Sequence, residues 1–172
     1  MSLPIFEIEK AFVDAAKCSD QIILKAPTGS GKSTQIPQML LDHGRLGSGQ
    51  AVVLQPRRLA ARLLSKRIAE ERDVKLGSEV GYQIRFENNT SQATRLRFVT
   101  EGMLVRQLLT DPELKDVSAL IFDEFHERKI EGDLALALAK QLQKTKRPDL
   151  SLIHISEPTR RTPISYAVFC LK

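Results

Sequence analysis

Gln21-Ile22-Ile23-Leu24-Lys25-Ala26-Pro27-Thr28-Gly29-Ser30-Gly31-Lys32-Ser33-Thr34 reads as a short apolar strand, a glycine-bearing loop and the opening of a helix that runs on through Leu41. It follows the phosphate-loop pattern G-x-x-x-x-G-K-[ST] except at its first position, where Ala26 stands in place of glycine. Ala26 is small and need not take a positive φ. The positions that would touch phosphate are intact: Gly29 and Gly31 let the backbone curl so that successive N–H groups point inward, and the helix N-terminus adds its positive end. Gly29, Ser30, Gly31, Lys32, Ser33 and Thr34 are therefore the expected nucleotide-binding residues, with Lys32 reaching the β- and γ-phosphates and the Ser33 hydroxyl facing a magnesium ion. The competing reading is a Gly-Ser-Gly linker beside an unrelated lysine; the order strand, loop, helix argues against it.

A second strand-to-loop junction supplies the acids. The apolar run Ser118-Ala119-Leu120-Ile121-Phe122 leads directly into Asp123-Glu124-Phe125-His126-Glu127-Arg128. An isolated Asp-Glu is more often a solvated turn than a catalytic pair, but a phosphate loop upstream changes that balance. Asp123 is then the second anchor for Mg²⁺, directly or through water, and Glu124 is placed to orient and deprotonate an attacking water. ATP and Mg²⁺ are the expected cofactors.

The chain has 172 residues, one domain's worth, and its 42% hydrophobic content suits a globular core. Lys and Arg number 26 against 21 Asp and Glu, a net charge of +5 that is compatible with a polyanionic partner and equally with a mildly basic surface. No stretch has the length of a membrane span and the N-terminus lacks a signal-peptide pattern, so no membrane partner and a cytoplasmic location are expected. Cys18 and Cys170 have no ligand-like spacing, and with only three histidines a metal cluster is not expected.

Short apolar runs alternate with helical patterns, which predicts an α/β fold with a mainly parallel sheet flanked by helices. Strands are expected near Gln21 to Leu24, Ala51 to Leu54, Leu96 to Val99 and Ala119 to Phe122. Helices are expected over roughly Glu7 to Ala16, Lys32 to Leu41, Arg58 to Glu71, Gly102 to Leu109 and Asp133 to Lys144. In the third helix, Leu59, Leu63, Leu64 and Ile68 recur at helical spacing and are expected to form its buried face, leaving Arg58, Arg62, Lys66 and Arg67 at or near the exposed side. Asn88 to Thr94 reads as a polar loop within the domain.

Three further segments, Gln55-Pro56-Arg57-Arg58-Leu59-Ala60-Ala61, Val80-Gly81-Tyr82-Gln83-Ile84-Arg85-Phe86-Glu87 and Val99-Thr100-Glu101-Gly102-Met103-Leu104, join the two nucleotide motifs in order. Together they resemble the first RecA-like domain of a DEAH/RHA-type superfamily 2 helicase, over about Leu3 to Leu150. Asp-Glu-Phe-His-Glu-Arg in place of Asp-Glu-Ala-His, followed by Asp133-Leu134-Ala135-Leu136-Ala137-Leu138, is similar to the HrpB-like branch.

The resemblance implies a P-loop NTPase domain that hydrolyses ATP to move along single-stranded nucleic acid, with RNA favoured by the family. It implies nucleic-acid contacts from Arg58, Arg85 and Thr100, with Arg57 a weaker candidate. Arg67 would stack on the adenine and His126 would couple the hydrolytic site to a second RecA-like domain, which is missing from this chain together with its arginine fingers. The bland readings are a solvated helix arginine for Arg67, a surface strand charge for Arg85, a helix N-cap for Thr100 and an unengaged polar residue for His126. Two other functions fit the same motifs: a P-loop ATPase that drives a process without nucleic acid, and a nucleic-acid-binding module with a dead ATPase.

The resemblance fades after Asp149. In the family a strand ending in Ser-Ala-Thr should follow, whereas Leu150-Ser151-Leu152-Ile153-His154-Ile155-Ser156-Glu157-Pro158-Thr159-Arg160 looks like a translation of the transposase-adapter DNA used to prepare sequencing libraries. Ile164-Ser165-Tyr166-Ala167-Val168-Phe169-Cys170-Leu171 looks like the flow-cell end of the same adapter, with Arg161 to Pro163 spanning the index. Residues 1–149 are thus expected to be the helicase ATP-binding domain, truncated before its Ser-Ala-Thr motif. Residues 150–172 are expected to be a non-native tail, whose Leu152 to Ile155 is still apolar enough to occupy the place of the missing strand.

Overall fold

The four apolar runs expected as strands all enter one sheet, because each is apolar enough to be covered on both faces. The computed structural model describes residues 3–125, 129–157 and 167–170. Its strands are β1 (Gln21–Lys25), β2 (Gln50–Gln55), β3 (Val80–Ile84), β4 (Glu87–Asn89), β5 (Leu96–Thr100), β6 (Val117–Phe122), β7 (Ser151–Ser156) and β8 (Ala167–Cys170), in the spatial order β4-β3-β5-β2-β6-β7-β1-β8. Only β3 and β4 pair antiparallel among these strands; every other neighbouring pair is parallel. The helices are α1 (Glu9–Cys18), α2 (Lys32–Asp42), α3 (Arg58–Glu71), α4 (Glu101–Thr110) and α5 (Ile130–Thr145).

Side chains alternate across the pleat, and the alternation divides the core in two. Ala51 and Val53 of β2 join Phe12 of α1, Ile36 of α2 and Ile68 of α3 on one face. Val52 and Leu54 of the same strand join Leu104 of α4 and Ala135 and Ala139 of α5 on the other. The α/β architecture with a mainly parallel, helix-flanked sheet is as the sequence led us to expect.

Two local expectations need correction. Leu59 and Leu63 are 61% and 56% exposed, and the buried face of α3 consists of Ala61, Ser65, Ile68 and Ala69. Small side chains let the helix axis approach β3 and β5, so closeness of packing outweighs the apolar count that favoured the leucines. Asn88 and Asn89, expected in a loop, belong to β4, whose register pairs Asn88 with Gln83 and Asn89 with Tyr82.

The segment Ser151–Ser156 forms β7, between β6 and β1. Leu152 faces the α4–α5 core, Ile153 and Ile155 face the α1–α3 core, and all three are 0% exposed. A slot covered on both faces requires little beyond an apolar, β-branched run, and Leu-Ile-His-Ile meets that requirement.

The polar member of that run is poorly matched to its place. His154 stacks on Phe122 at 5.1 Å between ring centroids, with Phe125 edge-on at 5.4 Å. Burial, with a smaller contribution from Lys140, lowers its pKa from 6.5 to about 4. The unfolded chain takes up this proton near pH 6.5 and the folded chain only near pH 4, so stability is complete above that window and falls as the pH drops through it. The loss should reach up to about 3 kcal/mol. Urea titrations at a series of pH values should find this slope in the wild type and a flatter one in His154→Phe.

Candidate active site

The phosphate loop is shaped by its two glycines. It joins β1 to α2, with Gly29 at φ 76° and Gly31 at φ 91°, backbone positions that side chains other than glycine occupy at a cost. Gly31 is also the residue before α2, and a Cβ there would meet Leu3 Cδ1 at 2.8 Å. Ala26 is fully buried and outside the left-handed region, with its N–H donating to the Ser156 carbonyl at 3.2 Å. Its methyl group is therefore accommodated, which accounts for the departure from glycine.

Within this loop the polar groups are withdrawn from solvent. Lys32 is only 4% exposed, and its Nζ lies 3.8 Å from Glu124 Oε1. The Ser30 hydroxyl is buried and, among the described residues, has no hydrogen-bond partner, a polar atom placed where a ligand oxygen could satisfy it. Thr34 is turned inward, donating from Oγ1 to the Gly31 carbonyl at 3.1 Å, so its hydroxyl holds the loop together.

Asp123 follows the last residue of β6 and is 3% exposed. Gln55 Nε2 donates to its Oδ2 at 2.6 Å, the Glu124 N–H donates to its Oδ1 at 3.0 Å, and the Ser33 side chain is a further hydrogen-bond partner. Burial raises its pKa above the ordinary carboxylate value, partly opposed by the Ser33 and Gln55 bonds and the Lys32 charge. Glu124 has φ 52°, a left-handed conformation that costs a non-glycine residue on the order of 1–3 kcal/mol and recurs at functional sites. The Ser33 hydroxyl and Asp123 carboxylate form a pair of hard oxygen donors, the kind that holds magnesium beside a phosphate. His126 lies outside the described residues.

Arg67 sits on the flank of this site. Its Nε donates to Glu71 Oε1 at 2.9 Å, and Glu71 Oε2 accepts from Gln35 and Gln38 of α2 at 3.0 and 2.9 Å. Burial pushes the Glu71 carboxyl up, but the Arg67, Gln38 and Gln35 bonds bring it below its ordinary value. The Arg67 guanidinium is thus tied beside the phosphate-loop helix, with 60% of its side chain exposed.

The other half of the site lies along the same carboxyl ends of the strands. Arg58 opens α3 just after β2, Arg85 occupies the two-residue turn after β3, and Thr100 ends β5 and precedes α4. All three line one groove of about 420 Å³, with Pro56, Met103 and Arg106 among their neighbours. Thr100 is at the N-cap position but makes no side-chain capping bond. Arg57, one residue before α3, does not line that groove.

Three residues escaped the sequence reading. Gln55 belongs to a quoted segment but carried no role, since its contact with Asp123 spans 68 residues. Arg106 could have been found from helical spacing, three and four residues beyond Met103 and Gly102 on the same face of α4. Lys129 lines the groove and donates from Nζ to the Pro56 carbonyl at 2.6 Å, a contact with no local signal.

Comparison with known proteins places the chain in a family. The DEAD/DEAH box helicase family matches residues 6–156. The chain is 45% identical over 151 residues to an Arabidopsis thaliana protein named Pre-mRNA-splicing factor ATP-dependent RNA helicase DEAH10, covering 87% of this chain and 21% of that protein. It is 46% identical over 155 residues to the ATP-dependent RNA helicase HrpB of Escherichia coli, covering 90% of this chain and 19% of that protein. The crystal structure of the E. coli DExH-box NTPase HrpB superposes with a TM-score of 0.89 at 44% identity, over 94% of this chain and 20% of that one. The chain thus spans about a fifth of the length of these relatives, over their first RecA-like domain. Among the described residues no helix is long and apolar enough to cross a membrane. The chain belongs to the DEAD/DEAH box helicase family.

Proposed function

We propose that this chain is the ATP-binding domain of an ATP-dependent nucleic-acid helicase, with single-stranded RNA as the favoured substrate of the intact parent. The observation that carries the reading is the convergence of Lys32, Ser33, Asp123 and Glu124 at the ends of β1 and β6, with a buried, unpartnered Ser30 hydroxyl in the loop between them. Magnesium, when bound, would supply positive charge against the phosphates. Ser33 and Asp123 would hold that ion, Lys32 would pair with the terminal phosphates, and the loop N–H groups from Gly29 to Thr34 would orient them. Glu124 is the base: its carboxylate, 3.8 Å from the Lys32 ammonium, would accept the proton of the attacking water. Arg67 would flank the adenine.

Arg58, Arg85 and Thr100 would hold the sugar-phosphate backbone in their shared groove, a contact that positions a strand without reading its sequence. His126 would relay the state of the hydrolytic site to a second RecA-like domain of the parent. That domain would also supply the arginine fingers, whose loss costs a factor of about 10³ or more. Nucleotide binding, feeble hydrolysis and no strand separation are therefore expected of this chain alone.

Fluorescent-nucleotide titration and steady-state phosphate release separate these roles. Lys32→Ala should abolish binding at concentrations that saturate the wild type. Glu124→Gln should bind within a few-fold of the wild type while hydrolysis falls about 10²- to 10⁴-fold. A Lys32→Ala variant that binds and hydrolyses normally, or unwinding by the unaltered chain, would contradict the assignment.

Residues 150–172 are, in the same proposal, not native to the parent. The burial of Leu152, Ile153 and Ile155 in the sheet is in keeping with the tolerance of the slot between β6 and β1. The coding DNA decides: codons from Leu150 onward should spell the adapter, and any other spelling excludes that origin.

A further inference from the structure

A buried amide stands behind the pair of metal-binding oxygens. Every residue of β2 from Ala51 onward is buried, and a polar side chain at the end of such a strand is costly unless it is hydrogen-bonded. Gln55 is that side chain, 1% exposed, where a methionine of the same length would fill the space with no amide to desolvate.

Strand register accounts for what the amide meets. β2 and β6 run parallel with Val53 beside Ile121 and Leu54 beside Phe122, so the next position brings Gln55 alongside Asp123. Val53 and Ile121 both face the core under α1, α2 and α3, and by the alternation of the pleat Gln55 and Asp123 turn to that same side. The Asp123 N–H donates to the Leu54 carbonyl at 3.2 Å, which ties the two backbones together. On its other side Gln55 is in register with Thr100 of β5, so the amide is carried on a strand held from both edges.

The torsion that turns an aspartate carboxylate about its own axis is broad, with no sharply preferred setting. Two bonds set it here: Gln55 Nε2 donates to Oδ2 at 2.6 Å, and the Glu124 N–H donates to Oδ1 at 3.0 Å. Ser33 bonds the same carboxylate from the phosphate loop. That loop leaves β1, on one side of β6 in the sheet, whereas Gln55 ends β2 on the other. Magnesium demands near-octahedral oxygen geometry, while calcium accepts looser arrangements, so a carboxylate plane fixed in advance favours the smaller ion.

We propose that Gln55 is a positioning residue for magnesium: its buried amide sets the plane of the Asp123 carboxylate and thereby gives the site its preference for Mg²⁺ over Ca²⁺. Gln55 acts through Asp123 and not on the nucleotide. The assignment rests on the nucleotide reading given above and adds a residue to which that reading gives no part.

Binding of fluorescent ATP to the 172-residue chain in chelator, in saturating Mg²⁺ and in saturating Ca²⁺ tests it, with melting temperatures taken in parallel. Gln55→Met should raise the Kd in Mg²⁺ about tenfold or more and leave the Kd in chelator within about twofold, as expected when a ligating carboxylate loses its supporting partner. In Ca²⁺ the change should stay under about threefold. Gln55→Asn keeps an amide but falls one methylene short of Asp123, so it should reproduce the Mg²⁺ effect, and it replaces the Met variant if that one does not fold. In an Asp123→Ala background Gln55→Met should add nothing further, because the two side chains act as one unit. If both Gln55 variants bind in Mg²⁺ as the wild type does while Lys32→Ala abolishes binding, the positioning role is wrong and the nucleotide site stands. Equal weakening in chelator and in Mg²⁺ makes Gln55 a packing residue and overturns the proposal as well. If the wild type binds no nucleotide, or Lys32→Ala binds normally, the nucleotide reading fails and the proposal falls with it.

Discussion

The buried Asp123 carboxylate is the constraint on which the rest of the site depends. A group of this kind, 3% exposed, can be kept at a strand end only if hydrogen bonds replace the water it has lost. Ser33 from the phosphate loop and Gln55 from β2 provide those bonds, and the Lys32 charge adds to them. The acid that belongs to one motif is therefore held by two others, and each comes from the end of a different parallel strand. Ligand sites in open parallel sheets lie at the carboxyl ends of strands, and the order β3-β5-β2-β6-β7-β1 spreads Arg85, Thr100, Arg58, Asp123 and Lys32 along that one border.

Gln55 gives this border a physical connection. It is 1% exposed and binds Asp123, and three residues further on Arg58 lines the basic groove. The left-handed conformation of Glu124, immediately beyond Asp123, places strain at the same point.

Much of this was legible in the sequence because the signals are local. Lys32, Ser33, Asp123 and Glu124 each sit at a strand-to-loop junction within a contiguous motif, and parallel strands buried on both faces announce themselves as uninterrupted apolar runs. What escaped depends on neighbours distant in sequence. The Gln55–Asp123 bond joins two strands, and Lys129 meets Pro56 across the groove. Helical periodicity located α3 and placed Ile68 and Leu64 toward the core, yet it also counted Leu59 and Leu63 as buried, which are left outside because Ala61 and Ser65 pack by being small. β7 carries the complementary lesson: a slot covered on both sides accepts an apolar run on chemistry alone, and the misfit is visible only at His154.

The central claim is that the Lys32–Ser33–Asp123 cluster is a magnesium-nucleotide site in the folded chain. The most direct measurement is the melting temperature with ATP and Mg²⁺, with ATP and a chelator, and with neither. Ligand at about a hundred times its Kd stabilises by about 2.7 kcal/mol, which for a chain of this size is a rise of about 5 to 10 °C. The account predicts that rise with ATP and Mg²⁺ together and most of it lost with the chelator; equal melting temperatures in all three conditions would contradict it.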